Sequence, residues 1–237
     1  MRWIPSAVIA LAVVALLLHG PIPQTPGYHH FADDRTLFGV PNGANVLSNL
    51  AFLAVASWGL ARTSRYRLFL VGVGLTCVGS AYYHLAPDNA RLVFDRLPIA
   101  LACAGLLDGV YGDTHASRPR WLLPALGAFA VASVLWWSWT EARGAGDLRP
   151  YLLLQGAPLV LIPIWQAIRR SPRDERIAFG VAIALYVLAK LAEVADRAIF
   201  DALGAVSGHT LKHLLAAAGA GVIVAALIRA RASTARP

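Results

Sequence analysis

The sequence predicts an all-α integral membrane protein: a core of seven transmembrane helices preceded by one extra N-terminal helix. Three observations carry this prediction. Of the 237 residues, 57% are hydrophobic and 14% charged, whereas soluble domains hold about 45–50% apolar and about 25% charged residues. The apolar residues fall in continuous runs without period-2 alternation, which selects helices over barrel strands. Almost all the arginines lie between those runs, and Lys190 and Lys212 are the only lysines. The formal charge of +8 therefore reflects charge-sorted loops, and no nucleic-acid partner is expected. Cys77 and Cys103 sit in apolar runs as packing residues and cannot build a disulfide framework or a cysteine zinc site.

Eight runs approach the roughly 20 residues that cross the hydrocarbon. They are 3–19, 43–61, 67–86, 93–111, 121–140, 150–168, 177–200 and 207–228. The first follows Arg2 as a signal peptide would, but Leu18-His19-Gly20-Pro21-Ile22-Pro23 offers no small-residue cleavage site, which favours an uncleaved helix. Residues 1–41 are thus read as a helix with an outer loop, and 42–237 as the seven-helix domain. Links such as Thr63-Ser64-Arg65, Pro87-Asp88-Asn89, Ser117-Arg118-Pro119 and Ser171-Pro172-Arg173 are short, so successive helices are antiparallel neighbours.

Orientation follows from the arginines. With the N-terminus cytoplasmic, the inner side holds thirteen of them, from Arg2 to Arg236, and the outer side holds Arg35, Arg91, Arg96, Arg143 and Arg149. That asymmetry satisfies the positive-inside rule. Both termini are expected in the cytoplasm of a bacterial inner-membrane protein. Trp136, Trp137 and Trp139 then end the fifth span at the outer interface.

Ionisable residues inside spans are costly and mark function by default. Ser80 and His84 come late in the third span, Asp95 early in the fourth, and His209 and His213 early in the eighth, so all five reach the outer leaflet. Ser80 and His84 share a helical face, as do His209 and His213. Two imidazoles from one helix and a third from another make a three-nitrogen zinc site with an open position for water. Asp95 is placed to take a proton or orient a histidine, and Ser80 to donate to an oxyanion.

Bland alternatives stand beside this reading. H-x-x-x-H alone is a weak signal, and membrane histidines and serines commonly hydrogen-bond between helices or to their own backbone. Bis-histidine haem is unsuited to imidazoles that point the same way. Lys190, Glu193, Asp196 and Arg197 have helical partners of opposite sign and read as ion pairs. His19, His29, His30 and His115 are read as solvated.

Gly79-Ser80-Ala81-Tyr82-Tyr83-His84, Asp95-Arg96-Leu97-Pro98 and Ser207-Gly208-His209-Thr210-Leu211-Lys212-His213 together resemble the alkaline ceramidases. These belong to the CREST superfamily of seven-helix membrane hydrolases, related to the adiponectin and progestin receptors. Asn45-Val46-Leu47-Ser48-Asn49 resembles the start of the ceramidase core, and the likeness covers roughly residues 42–228. It implies one zinc ion per chain on His84, His209 and His213, with Ser80 and Asp95 in catalysis. Animal ceramidases also carry an acidic Asp-Trp-Cys-Glu element associated with calcium. Here that region reads Phe31-Ala32-Asp33-Asp34-Arg35, and Asn42 stands where an acidic residue is expected, which counts against calcium.

The expected function is hydrolysis of the amide of a ceramide-like or other N-acyl lipid drawn from the bilayer. The alternatives are a phospholipid ester hydrolase of the same superfamily and a receptor-like or channel-like protein with structural zinc.

Overall fold

The computed structural model describes residues 3–234, and side chains as far as residue 230. Arg2 and Arg236, both used for the orientation above, lie outside the described residues. The described residues are helical throughout apart from loops and one isolated bridge, Leu37 with Val40. In chain order the helices are α1 (Ile4–His19), α2 (Gly43–Ser48), α3 (Leu50–Arg62), α4 (Arg67–Leu85) and α5 (Asn89–Thr114). They continue with α6 (Leu122–Glu141), α7 (Arg149–Arg169), α8 (Arg173–Val194), α9 (Asp196–Leu203) and α10 (Gly208–Thr234).

Among the described residues, six stretches are long and apolar enough to cross a membrane: Gly43–Arg62, which joins α2 to α3, then α4, α6, α7, α8 and Gly208–Ala230 of α10. Two expected spans differ. Helix α1 has 16 residues, about 24 Å of rise, which falls short of a hydrocarbon core of about 30 Å. It buries no residue and packs against α7. Helix α5 has 26 residues but carries Arg91, Asp95, Arg96, Asp108 and Asp113, and so is not among the six. It nevertheless lies centrally, against α4, α6 and α7.

Helix α5 also starts earlier than the apolar pattern implies. Asp88 caps it by accepting a 2.7 Å hydrogen bond from the Arg91 backbone N–H. A short polar side chain at this position satisfies one of the four donors that a helix start leaves unpaired. Arg96, counted among the outer loop arginines, is consequently a buried helical residue, 4% exposed.

The run expected at 177–200 is not one helix. Helix α8 starts at Arg173 and stops at Val194, the chain turns at Ala195, and α9 begins at Asp196. The tryptophan cluster also divides. Trp136 and Trp139 are exposed, as interfacial rings would be, but Trp137 is fully buried in the core with Leu92, Val134 and Leu154.

Two glycines set the distances on which the site depends. A Cβ on Gly79 would stand 2.0 Å from the Phe94 carbonyl oxygen, so α4 and α5 touch backbone to backbone there. The next residue on each helix is Ser80 and Asp95, so this close approach delivers the pair. A Cβ on Gly208 would stand 2.0 Å from the Ala192 carbonyl oxygen, which seats the start of α10 directly on α8. No other residue fits either position without backbone movement.

Candidate metal centre

Four segments meet at one end of the bundle. Helix α4 brings Ser80 and His84, one turn apart and 1% and 0% exposed. Helix α10 brings His209 and His213 in its first two turns, and both are buried. The start of α10 is defined locally. The Ser207 hydroxyl accepts from the Thr210 backbone N–H at 3.1 Å, a serine N-cap. The His209 backbone N–H donates to Asp196 Oδ1 at 2.7 Å. Asp196 Oδ2 accepts from the Ala32 backbone N–H at 2.8 Å, tying the α1–α2 loop to the same point. Asp196 thus serves two backbone donors and is not the helical ion-pair partner expected of it. It makes these bonds as the first residue of α9, directly after the turn at Ala195.

The three histidines converge as expected. One nitrogen from each lies within 4.8 Å of the others, and the group could hold a metal ion. Ring centroids are 4.8 Å apart for His84 and His209, 5.0 Å for His84 and His213, and 4.8 Å for His209 and His213. His84 Nε2 and His209 Nε2 face each other at 3.3 Å. Two nitrogens about 2.05 Å from one zinc ion at the tetrahedral angle stand about 3.3 Å apart, so this pair fits zinc without adjustment. No carboxylate belongs to the group, and the rings are buried. Three buried imidazoles with one nitrogen each in this space suit a cation between them.

Ser48 fixes the third ligand. Its hydroxyl lies 2.9 Å from the Asn45 carbonyl oxygen and 2.8 Å from His213 Nδ1. A hydroxyl has one proton, and the carbonyl can only accept it. Ser48 therefore accepts from His213, which places that ring's proton on Nδ1 and leaves the Nε2 lone pair for a metal. His84 Nδ1 has no hydrogen-bond partner. If the histidines hold a metal ion, Ser48→Ala is expected to weaken its binding about 10- to 100-fold, measured by competition with a chelator of known affinity.

The loop of residues 20–42 covers the histidines. The Phe31 ring packs on His84 and His209, with centroids 4.7 and 4.4 Å away. His29 is not simply solvated: its Nδ1 meets the Tyr83 hydroxyl and its Nε2 meets Asn89 Oδ1, each at 2.9 Å. His115 likewise stacks on Tyr111 at 3.8 Å, while His19 and His30 are exposed as expected. Asn42, at a left-handed φ of 48°, donates through Nδ2 to the His84 carbonyl oxygen at 2.9 Å and so closes the end of α4.

Asp33 is 1% exposed, and both carboxylate oxygens bond to Arg35, Oδ1 to Nε at 2.7 Å and Oδ2 to Nη2 at 2.8 Å. This engagement, together with Asn42, argues against a calcium ligand here. The Arg35 hydrogen bonds hold the Asp33 carboxyl below its usual range. The tie is therefore complete at neutral pH and is lost only as pH falls through that lowered value.

Ser80 and Asp95 come together at the Gly79 crossing, and both line one cavity. Thr76, rather than Ser80, bonds its own helix backbone, at the Gly72 carbonyl. Both residues border a cavity of about 310 Å³, together with His213, Lys190 and Lys212. Its deeper walls are apolar, including Phe69, Ile162, Phe179 and Ile223. Lys190 pairs with Glu193 one turn away, as the spacing predicts, and Glu193 also holds Lys212 of α10 at 2.5 Å. Arg197 is exposed.

Sequence reading missed Ser48, Asp196 and Phe31 as parts of this site. Ser48 lay inside the segment that carried the family likeness, which was the available hint. No family model matches the chain, and no curated protein matches it either.

Proposed function

We propose that the chain is a zinc-dependent intramembrane lipid hydrolase that cleaves the amide of a ceramide-like or other N-acyl lipid and releases a fatty acid. The observation that carries this reading is the convergence of three buried imidazoles beside a cavity that also presents Ser80 and Asp95. The likeness of these segments to the alkaline ceramidases supports the choice of an amide. His84, His209 and His213 would hold the zinc ion. When bound, zinc supplies a Lewis acid and lowers the pKa of its water toward about 7.

The chain's own residues supply the rest. The apolar cavity takes an acyl chain from the bilayer and excludes bulk water. Asp95 receives a proton from the attacking water and passes it toward the departing nitrogen. Ser80 donates its hydroxyl proton to the carbonyl oxygen as negative charge develops there. Glu193 fixes Lys212 beside this pair.

The reading is tested by incubating purified protein with amide and ester lipids of matched acyl chains and identifying products by mass spectrometry. Fatty acid released from amides supports it. Release from phospholipid esters alone moves the activity to an esterase, and no release from any lipid rejects an enzyme.

In the proposed topology α1 is an extra helix, α2–α3, α4, α5, α6, α7, α8 and α10 form the seven-helix core, and the metal centre faces the outer leaflet of a bacterial inner membrane. The arginine asymmetry supports this orientation. On a background lacking Cys77 and Cys103, Ala90→Cys should react with an impermeant maleimide in intact cells and Ser64→Cys should not. The opposite pattern inverts the topology.

A further inference from the structure

The cavity is bordered by a buried cation that makes no ion pair within 4.0 Å among the described residues. Arg96 borders it and is 4% exposed. Its Nη2 donates to the neutral Gln24 Oε1 at 2.6 Å, and its Nη1 has no hydrogen-bond partner. Among the described residues, the ion pairs within 4.0 Å do not include Arg96. Its guanidinium instead lies among aromatic rings, 3.9 Å from the Trp137 centroid, 5.4 Å from Tyr28 and 5.5 Å from Tyr151.

Aromatic faces do not balance that burial. Cation–π contacts return only part of what it costs to take an ion out of water. The neighbouring charges do not offset it either. Lys190 and Lys212 also line the cavity, and both are bound to the one carboxylate of Glu193. Asp95 comes together with Ser80 at the Gly79 crossing. Arg96, Lys190 and Lys212 thus oppose Asp95 and Glu193, which leaves a cationic excess before any metal is counted.

We infer that Arg96 recognises an anionic group carried near the amide of the lipid, so that the preferred substrate is an acidic N-acyl lipid rather than a neutral one. The planar guanidinium suits a carboxylate or a phosphate, both of which it can engage through two parallel bonds. Arg96 is a specificity-determining residue in this account. The inference rests on the N-acyl lipid reading of the cavity, and its test reads binding rather than turnover.

Three probes with one acyl chain separate the possibilities: N-dodecanoylglycine, N-dodecanoyl phosphoethanolamine and the neutral N-dodecanoylethanolamine. Binding to zinc-loaded full-length protein is read from the fast change in tryptophan emission, before turnover. Wild type is expected to favour one or both anionic probes over the neutral probe by about 10- to 100-fold, the effect of a hydrogen bond to a charged group. Comparison of the glycine and phosphoethanolamine arms tells whether the anion is a carboxylate or a phosphate.

Arg96→Gln should bring the anionic probes to parity while leaving the neutral probe and the zinc content unchanged. Arg96→Lys should lose part of the preference and remain above parity. Equal binding of all probes by wild type overturns the inference, as does an equal loss for all three in Arg96→Gln, which would mark a purely structural arginine. Should Arg96→Gln fail to fold, an undiminished preference in Arg96→Lys overturns it instead. Discrimination without hydrolysis of any probe leaves the inference standing and removes the hydrolase. Hydrolysis without discrimination does the reverse.

Discussion

Ser80→Ala and Asp95→Asn are expected to keep most of their zinc and lose nearly all lipid hydrolysis. Neither residue belongs to the histidine group, and three imidazoles suffice for a catalytic zinc site. In the proposed mechanism each acts on the substrate or its protons. Loss of one oxyanion donor costs about 100- to 1000-fold in turnover, and positioned acid–base groups contribute about 100- to 10,000-fold. Asp95 carries the further expectation of a modest loss of metal, since an outer carboxylate can change affinity by about 10- to 100-fold. Zinc content and fatty-acid release measured on the same samples check both. Wild-type rates in both variants would remove these roles while leaving the metal centre untouched.

His209→Ala should abolish high-affinity zinc binding. Its Nε2 stands 3.3 Å from that of His84, and removing it leaves two nitrogens where a catalytic site needs three protein ligands. The backbone N–H of residue 209 remains for Asp196, so the start of α10 should persist in the variant. Elemental analysis of wild type should give close to one equivalent of zinc, and His209→Ala a small fraction of that. An undiminished equivalent in the variant means that the ligands lie elsewhere.

Much of this molecule could be read from the sequence because a bilayer imposes a simple rule. Long apolar runs must become helices that satisfy their own backbone, and six of the eight expected spans meet that description. The histidines were legible for a related reason. Polar groups are so costly within spans that each stands out, and helical spacing places His209 and His213 on one face.

What could not be read depends on partners distant in sequence. Ser48 faces His213 across 165 residues, and no local spacing or pattern pairs the two. Asp196 follows Lys190 and Glu193 at ion-pair spacing, yet its carboxylate serves Ala32 and His209 from the first residue of α9. Trp137 sits between two exposed tryptophans and differs from them in packing into the core with Leu92, Val134 and Leu154, under Arg96 of α5. Helix α5 itself looked like a shorter span because its charged residues interrupt the apolar pattern. Those charges are buried or paired by neighbouring elements, as Arg118 pairs with Asp108 at 2.9 Å.

The most direct test titrates activity against metal on one preparation. Zinc is removed stepwise with a chelator and then restored, and fatty-acid release from an N-acyl lipid is measured at each occupancy. Release should fall in proportion to zinc, vanish in the metal-free protein and return on reloading. Full-rate release from protein without zinc would contradict the proposed metal-dependent hydrolase at its centre.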